Sequence, residues 1–380
     1  MRWRPFAVAF GLAAGLAACG GESAAPTAAD RDPLGPRRAA PTAADRAGYV
    51  QMLEGQGVIQ YVGRIRPVTH STKRDWTVYH YPVSTGAGCL DDSEFLLSHR
   101  RTAVADAPVV LYLEGGGACW DAETCFGVPL ASNTASTPGQ SGMFDREIAR
   151  NPLREYDIVY ASYCDGSVWS GDHMAAYGAR HWGLRNLSAA LTFVRDTYGD
   201  LQRLAIVGSS AGGFGTLMAM GMARGVFPDA ELRVLNDSGP GLENPALADD
   251  MGRKLREGWR FDRFMPDTCT ACDEQMAYLI GYQLDFDDRL RVAMFSYRDD
   301  IVIGGIFLRL FSAYAPLLQR VTDDLHDRHP DGFRRFFVEG SSHTIVSTRD
   351  FDRQWPHGQR FSKWLGAFLA DDADAWVDRR

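Results

Sequence analysis

Gly208-Ser209-Ser210-Ala211-Gly212 sets a serine in the pattern G-x-S-x-G, between the short apolar run Leu204-Ala205-Ile206-Val207 and the helix-like segment Gly213 to Ala223. Glycine on either side permits a tight turn that lifts the serine Oγ clear of the backbone, with the positive end of a helix beside it. Such a serine can attack an acyl carbon if a base takes its proton. Ser210 fits the pattern as nucleophile; Ser209 is the rival, out of step with the spacing. The base candidate is His343, in Gly340-Ser341-Ser342-His343-Thr344 after the last expected strand. Most other histidines precede the serine strand, and His326, His329 and His357 have the charged or polar neighbours of a solvated surface. An acid must orient the imidazole and stabilise its charged form. Ser296-Tyr297-Arg298-Asp299-Asp300 is placed for that, with Asp299 first by register, Asp300 next and Asp237 an outside candidate one strand earlier. Upstream, Gly115-Gly116-Gly117-Ala118 can bring backbone N–H groups close to an oxyanion, and the N–H of Ala211 completes the set. No Gly-Lys-Ser/Thr follows these glycines, which excludes a phosphate loop.

These groups need a frame that brings strand ends together. Short apolar runs at Val109 to Leu113, Tyr156 to Tyr160, Leu204 to Val207, Leu232 to Leu235, Leu290 to Phe295 and Arg335 to Val338 alternate with helix-length segments, among them Tyr177 to Arg195 and a C-terminal helix from about Gln359 to Leu369. Runs of this kind are strands buried on both faces of a mostly parallel sheet flanked by helices. Strand-like pieces such as Trp76 to Tyr81 precede them. The fold class is α/β. The order serine, acid, histidine behind a glycine-rich loop is that of an α/β-hydrolase. The stretch from about Gly239 to Asp288 carries little strand signal and is expected to be a small cap over the carboxyl edge of the sheet, where open α/β sheets bind ligands.

The chain begins with Arg2 and Arg4, then an apolar run from Phe6 to Ala18 too short to span a membrane, ending Leu16-Ala17-Ala18-Cys19-Gly20. This resembles a bacterial lipoprotein signal over residues 1–18, with Cys19 lipidated and the product held at a membrane surface. Gly20 lacks the aspartate associated with inner-membrane retention, so an outer membrane is the expected address. Residues 19–46, rich in Ala, Pro and charge and carrying a duplicated Ala-Ala-Pro-Thr-Ala-Ala-Asp-Arg, read as a disordered tether before an α/β-hydrolase domain over 47–380. Six further cysteines in an exported chain suggest disulfides. Short spacing favours Cys119–Cys125 and Cys269–Cys272, leaving Cys89 with Cys164; a redox pair or half a zinc site at Cys269 and Cys272 is the weaker reading. The net charge of −8 is spread out and argues against nucleic acid.

Four segments carry a family resemblance: Leu113-Glu114-Gly115-Gly116-Gly117-Ala118-Cys119-Trp120, Tyr163-Cys164-Asp165-Gly166-Ser167-Val168-Trp169-Ser170-Gly171-Asp172, Gly208 to Gly213, and Ser342-His343-Thr344. Together they resemble the pectin acetylesterase/Notum family from about Tyr79 to His343. The resemblance implies Ser210, Asp299 and His343 as a triad and Gly116, Gly117 and Ala211 as oxyanion donors. It supports the pairs Cys119–Cys125 and Cys89–Cys164, and puts Trp169 and Asp172 near the substrate pocket. The family's aromatic residue after the glycines is here Ala118, with Trp120 two positions on, and the cysteines after Asp237 are reduced to one Cys-x-x-Cys. Both departures bear on the acyl pocket. A wide pocket lined by Trp120, Trp169 and Phe214 would suit long acyl chains; a shallow cleft would suit acetyl groups on sugars. The expected activity is serine carboxylester hydrolysis, of O-acetyl groups on a polysaccharide first. Longer acyl esters, a polyester or a peptide bond are alternative substrates, and an inactive envelope-tethered binding protein is the reading from another class. No metal or organic cofactor is implied, and the expected state is a monomer.

Overall fold

The chain is described from a computed structural model, over residues 33–35, 38–244, 246, 256, 258–356 and 358–380. The strands are β1 Thr69–Lys73, β2 Trp76–Tyr81, β3 Phe95–Arg100, β4 Val109–Leu113, β5 Asp157–Ala161, the short β6 His173–Met174 and β7 Arg180–His181, β8 Arg203–Ser209, β9 Glu231–Asp237, β10 Leu290–Tyr297 and β11 Phe333–Val338, of which β4, β5 and β8 to β11 lie on the apolar runs. Nine of them make one sheet in the order β1-β2-β3-β5-β4-β8-β9-β10-β11, and β6 pairs with β7 apart from it. The first three strands run antiparallel to their neighbours, whereas β5, β4, β8, β9, β10 and β11 are parallel. All five parallel strands that feed the candidate residues therefore end on one edge. This is the expected α/β architecture.

Helices cover both faces. On one side lie α1 Ala43–Gly55, α2 Gly183–Tyr198, α3 Ala211–Val226, α4 Tyr278–Leu284 and α5 Tyr314–Arg328. The other side is closed by α6 Phe361–Ala370 with Trp364, Trp376 and the segment around Met143 to Leu153. α3 is buried along almost its whole length because it is wedged between the sheet and α1. Its last turn is held by Arg224, which is fully buried. The guanidinium forms a bidentate pair with Asp287 (2.7 and 3.1 Å) and donates to the carbonyls of Phe227, Pro228 and Ala230. A buried cation so fully satisfied fixes the end of α3 against the start of β10; removing one partner would strand the other charge.

Three expectations of local structure shift. Tyr177 to His181 is not helical: Gly178 has φ +91°, and β6 and β7 close a hairpin around it before α2 begins at Gly183. The boundary expected at residue 46 falls inside α1, which starts at Ala43 with Thr42 as N-cap in a reciprocal box with Asp45. Arg38, just before α1, lies over the Phe286 ring (4.3 Å), and Arg46 within it pairs with Asp288, so this segment packs on the rest of the chain. The third is β3, whose mixed sequence Phe95-Leu96-Leu97-Ser98-His99-Arg100 hides a strand formed by pairing with β2 and β5. The signal segment and Cys19 lie outside the described residues. Disulfides join Cys89–Cys164, Cys119–Cys125 and Cys269–Cys272, the three expected pairs. No described helix is long and apolar enough to cross a membrane.

Candidate active site

Ser210 occupies the turn between β8 and α3 with φ 55° and ψ −117°, a conformation that a side chain adopts only when its surroundings impose it. The imposition is visible at Gly212, where a Cβ would fall on the carbonyl oxygen of Leu113 at the end of β4. Crowding by β4 thus explains the glycine of the motif. Ser209, the rival serine, is committed elsewhere: its hydroxyl donates to Asp237 Oδ2 at 2.8 Å.

His343 enters from the loop after β11. Its Nδ1 lies 2.7 Å from Asp300 Oδ2, and its Nε2 is buried with no hydrogen-bond partner among the described residues. The carboxylate at the imidazole is therefore that of Asp300, not Asp299. The reason is the pairing beyond β10. Arg298 N–H donates to Val338 (2.9 Å) and Asp299 N–H to Gly340 (3.1 Å), while a turn closed by Asp300 N–H on the Tyr297 carbonyl (3.4 Å) leaves the Asp299 side chain exposed to solvent. One residue on, Asp300 turns inward, 1% exposed, and caps the helical turn Ile301–Phe307. Its Oδ1 accepts the N–H groups of Val302 (2.9 Å) and Ile303 (3.0 Å), leaving Oδ2 aimed at the imidazole.

Ser210 and His343 line one cavity of about 540 Å³ together with Gly115, Gly116 and Gly117. Among the described residues, the N–H groups of Gly116, Gly117 and Ala211 donate to no backbone carbonyl outside regular elements. The glycine loop is anchored through its carbonyls instead: Gly116 accepts from Ser132 N–H (2.7 Å) and Gly117 from the Tyr163 hydroxyl (2.9 Å). Gly117 has φ +79°, and a Cβ there would strike the Leu130 carbonyl. Donors held by their own carbonyls and left unpaired suit a developing oxyanion, since no reorganisation is needed when charge appears.

The rest of the lining differs from the sequence expectation. Trp120, Trp169, Asp172 and Phe214 are not among the residues that line the cavity. Trp169 is fully buried, packed on Gly215 of α3, and donates its Nε1–H to the Glu114 carbonyl at 3.1 Å, so it braces the end of β4. Asp172 is consumed by Arg185 (2.7 Å), Arg263 (2.7 Å) and the Tyr61 hydroxyl (3.0 Å), a junction between α2 and the segments around Tyr61 and Arg263. Phe214 and Trp120 both pack on Phe307, at 5.9 and 6.3 Å between ring centroids, beside the nucleophile turn. Their sequence proximity to the motifs is real, but their bulk goes into supporting the loops.

In their place stand small hydroxylated residues and three other aromatic ones. Thr137, Ser141, Ser209, Thr344 and Ser347 line the cavity, with Tyr112, Phe144, Tyr160 and Val302 as its apolar part. Thr137 and Ser141 come from the polar stretch Ser132 to Ser141, which carries no periodic signal but a conspicuous excess of small hydroxylated residues. Glu114 is also in the wall. Burial pushes its carboxyl up, against the hydrogen bonds from Ser136 (2.6 Å), Tyr160 and the Tyr163 N–H (2.9 Å) that pull it down. The His/Cys group among the described residues, Cys119, Cys125 and His181, has both sulfurs in a disulfide and so offers a metal one ligand at most.

A family model described as Pectinacetylesterase matches residues 68–269, just over half of the chain. The chain belongs to the pectinacetylesterase family. The matched span contains the glycine loop, Ser210 and Asp237 but ends before Asp300 and His343, whose place in the family site comes from the geometry above. Among curated proteins, the chain is 26% identical over 162 residues to a palmitoleoyl-protein carboxylesterase NOTUM of Schmidtea mediterranea, covering 39% of this chain and 31% of that protein. It is 27% identical over 179 residues to pectin acetylesterase 4 of Arabidopsis thaliana, covering 40% of this chain and 41% of that one. The chain thus spans less than half the length of either relative. By their names both relatives are ester hydrolases, one of a fatty acyl ester on protein and the other of acetyl ester in pectin.

Proposed function

We propose that this pectinacetylesterase family member is a serine carboxylesterase that removes short acyl groups, acetyl first, from the hydroxyls of a carbohydrate. The observation that carries the reading is the cavity in which Ser210, the free Nε2 of His343 and the unpaired glycine N–H groups meet walls that mix small hydroxylated side chains with aromatic rings. In the proposed reaction Ser210 Oγ attacks the ester carbonyl while His343 Nε2 takes its proton. Asp300 holds the Nδ1–H and stabilises the imidazolium. The N–H groups of Gly116, Gly117 and Ala211 donate hydrogen bonds to the oxyanion, each such donor being worth about 3 kcal/mol in the barrier. The intermediate then collapses, breaking the bond to the sugar oxygen, which the imidazolium protonates so that it leaves as a hydroxyl. Water, deprotonated by the same nitrogen, releases the acid and restores Ser210.

The acyl preference follows from the walls. A long chain gains about 0.8 kcal/mol for each methylene it buries in apolar surroundings, and Tyr112, Phe144 and Tyr160, all buried, leave it little ring surface beside Val302. Sugar hydroxyls, by contrast, find partners in the partly exposed Thr137, Ser141 and Ser347. The test is hydrolysis of p-nitrophenyl esters from acetate to palmitate, with acetate release from an O-acetylated polysaccharide alongside. Acetate should be the best acyl group, and Ser210→Ala should lower kcat about a thousandfold or more. A profile rising towards palmitate would overturn the acyl assignment, and an active Ser210→Ala variant the nucleophile.

The three disulfides fit an oxidising compartment outside the cytoplasm. The lipid anchor on Cys19 belongs to the same proposal, on the strength of the signal-like sequence before it. Cys19→Ser should move the exported protein from the membrane fraction to the soluble one; unchanged fractionation would remove the anchor from the account.

A further inference from the structure

Asp237, the last residue of β9, is fully buried and has no part in the proton transfers above. A carboxylate so placed is expensive to bury, and burial lifts its pKa to about 6 despite three kinds of donor around it. Its contacts run in two directions. Towards β8, its backbone carbonyl accepts the N–H of Ser210 (2.8 Å) and its Oδ2 accepts the hydroxyl of Ser209 (2.8 Å). Towards the loop after β11, its two carboxylate oxygens accept the N–H of Ile345 (3.0 and 3.1 Å) and Oδ2 that of Val346 (3.1 Å), two and three residues beyond His343. The adjoining Ser238 hydroxyl accepts the Thr344 N–H at 3.2 Å.

Nucleophile and base stand at the ends of β8 and β11, with two strands between them. The far side of the histidine loop is held to another segment, through Met143 N–H on the Val346 carbonyl (2.7 Å) and the Ser141 hydroxyl on that of Ser347 (2.6 Å). The Asp300 contact fixes the imidazole to β10's end. Asp237 joins the histidine loop directly to the nucleophile turn. We propose that Asp237 is a positioning residue that sets the separation and approach of Ser210 Oγ and His343 Nε2. The inference rests on the reading of Ser210 and His343 as nucleophile and base. Its physical basis is that an error of about 1 Å in a reacting pair can lower a rate on the order of 10²-fold.

The experiment compares wild type, Asp237→Asn, Ser209→Ala and Ser210→Ala in the full chain. It reads kcat and KM on p-nitrophenyl acetate, the rate of labelling by a fluorophosphonate probe, and Tm. Asp237→Asn should lower kcat and the labelling rate together, on the order of 10²-fold, with KM within about twofold of wild type at temperatures where the variant is fully folded. Ser209→Ala, which removes one side-chain tie and leaves the backbone ties, should lower both by about threefold to tenfold, well short of the 10²-fold ceiling for misplacement. Full kcat in folded Asp237→Asn, whatever happens to Tm, would overturn the proposal and leave Asp237 a buried packing residue. Should that variant not fold, unchanged kcat and labelling in Ser209→Ala would overturn it equally. Labelling and activity that survive Ser210→Ala would instead reject the reading of the site on which the inference rests.

Discussion

The ends of β9 and β10 carry the same functional group and use it differently. At β9 the aspartate is the last residue of the strand, and its carboxylate is spent on backbone N–H groups and a serine hydroxyl. At β10 it comes three residues after the strand, so that one oxygen caps a helical turn while the other is left for His343. Both are buried to the same degree, 0% and 1% exposed. Burial therefore does not separate a clamp from a partner of the imidazole. The number of residues between strand end and carboxylate does, because it decides which neighbours the oxygens meet.

The comparison can be broken most decisively at β10. Asp300→Asn should lower kcat by about 10⁴-fold on p-nitrophenyl acetate, the size of effect seen when a triad acid loses its charge, against the smaller loss expected for Asp237. Equal losses at the two positions would erase the distinction.

A third buried acid sharpens it. Asp165, beyond β5, accepts the N–H (2.9 Å) and hydroxyl of Ser167, while its Oδ1 has no partner among the described residues. Burial raises its pKa from 3.8 to about 6. Between those values the folded protein keeps a proton that the unfolded chain has lost. The stability this gives is full below about pH 4 and is lost as pH rises through 6, by at most about 1.4 kcal/mol per pH unit. Asp165→Asn should flatten the dependence of Tm on pH between 4 and 6 relative to wild type, with kcat little changed. An unaltered slope would show that this acid is ionised on both sides of folding. The smallest effect belongs to Asp299. Exposed and without a side-chain partner at the imidazole, Asp299→Ala should leave kcat within about twofold; a large loss would return the acid's role to it.

Legibility of the site followed the range of the interactions involved. Ser210 is readable because its constraint is local: a strand, a tight turn and a helix write themselves into five consecutive residues. His343 is readable by order, since in a parallel sheet the loop after the last strand must come back to the same edge. Asp299 and Asp300 are neighbours of one type, and the ladder to β11 chooses between them, an interaction with residues forty positions away in the chain. Trp169 and Asp172 sit in a distinctive sequence, yet what a large or charged side chain faces depends on which elements arrive beside it. Here α3 and the two arginines took them. The hydroxyls of residues 132–141 gave no periodic signal, because a loop that lines a cavity need follow no period.

By itself the sequence determined an α/β chain with a parallel sheet, the strand–turn–helix that holds Ser210, the place of His343 after the last strand, a glycine loop facing them and the close cysteine pairs. Each of these is written in adjacent residues or in chain order. The tertiary structure alone decided that Asp300 meets the imidazole, that Asp237 ties β8 to the histidine loop, and that Tyr112, Phe144, Tyr160 and small hydroxylated residues line the cavity in place of Trp120, Trp169 and Phe214. Those facts depend on register between strands and on what packs against what, and a single residue's shift in register turns a side chain from the site to solvent.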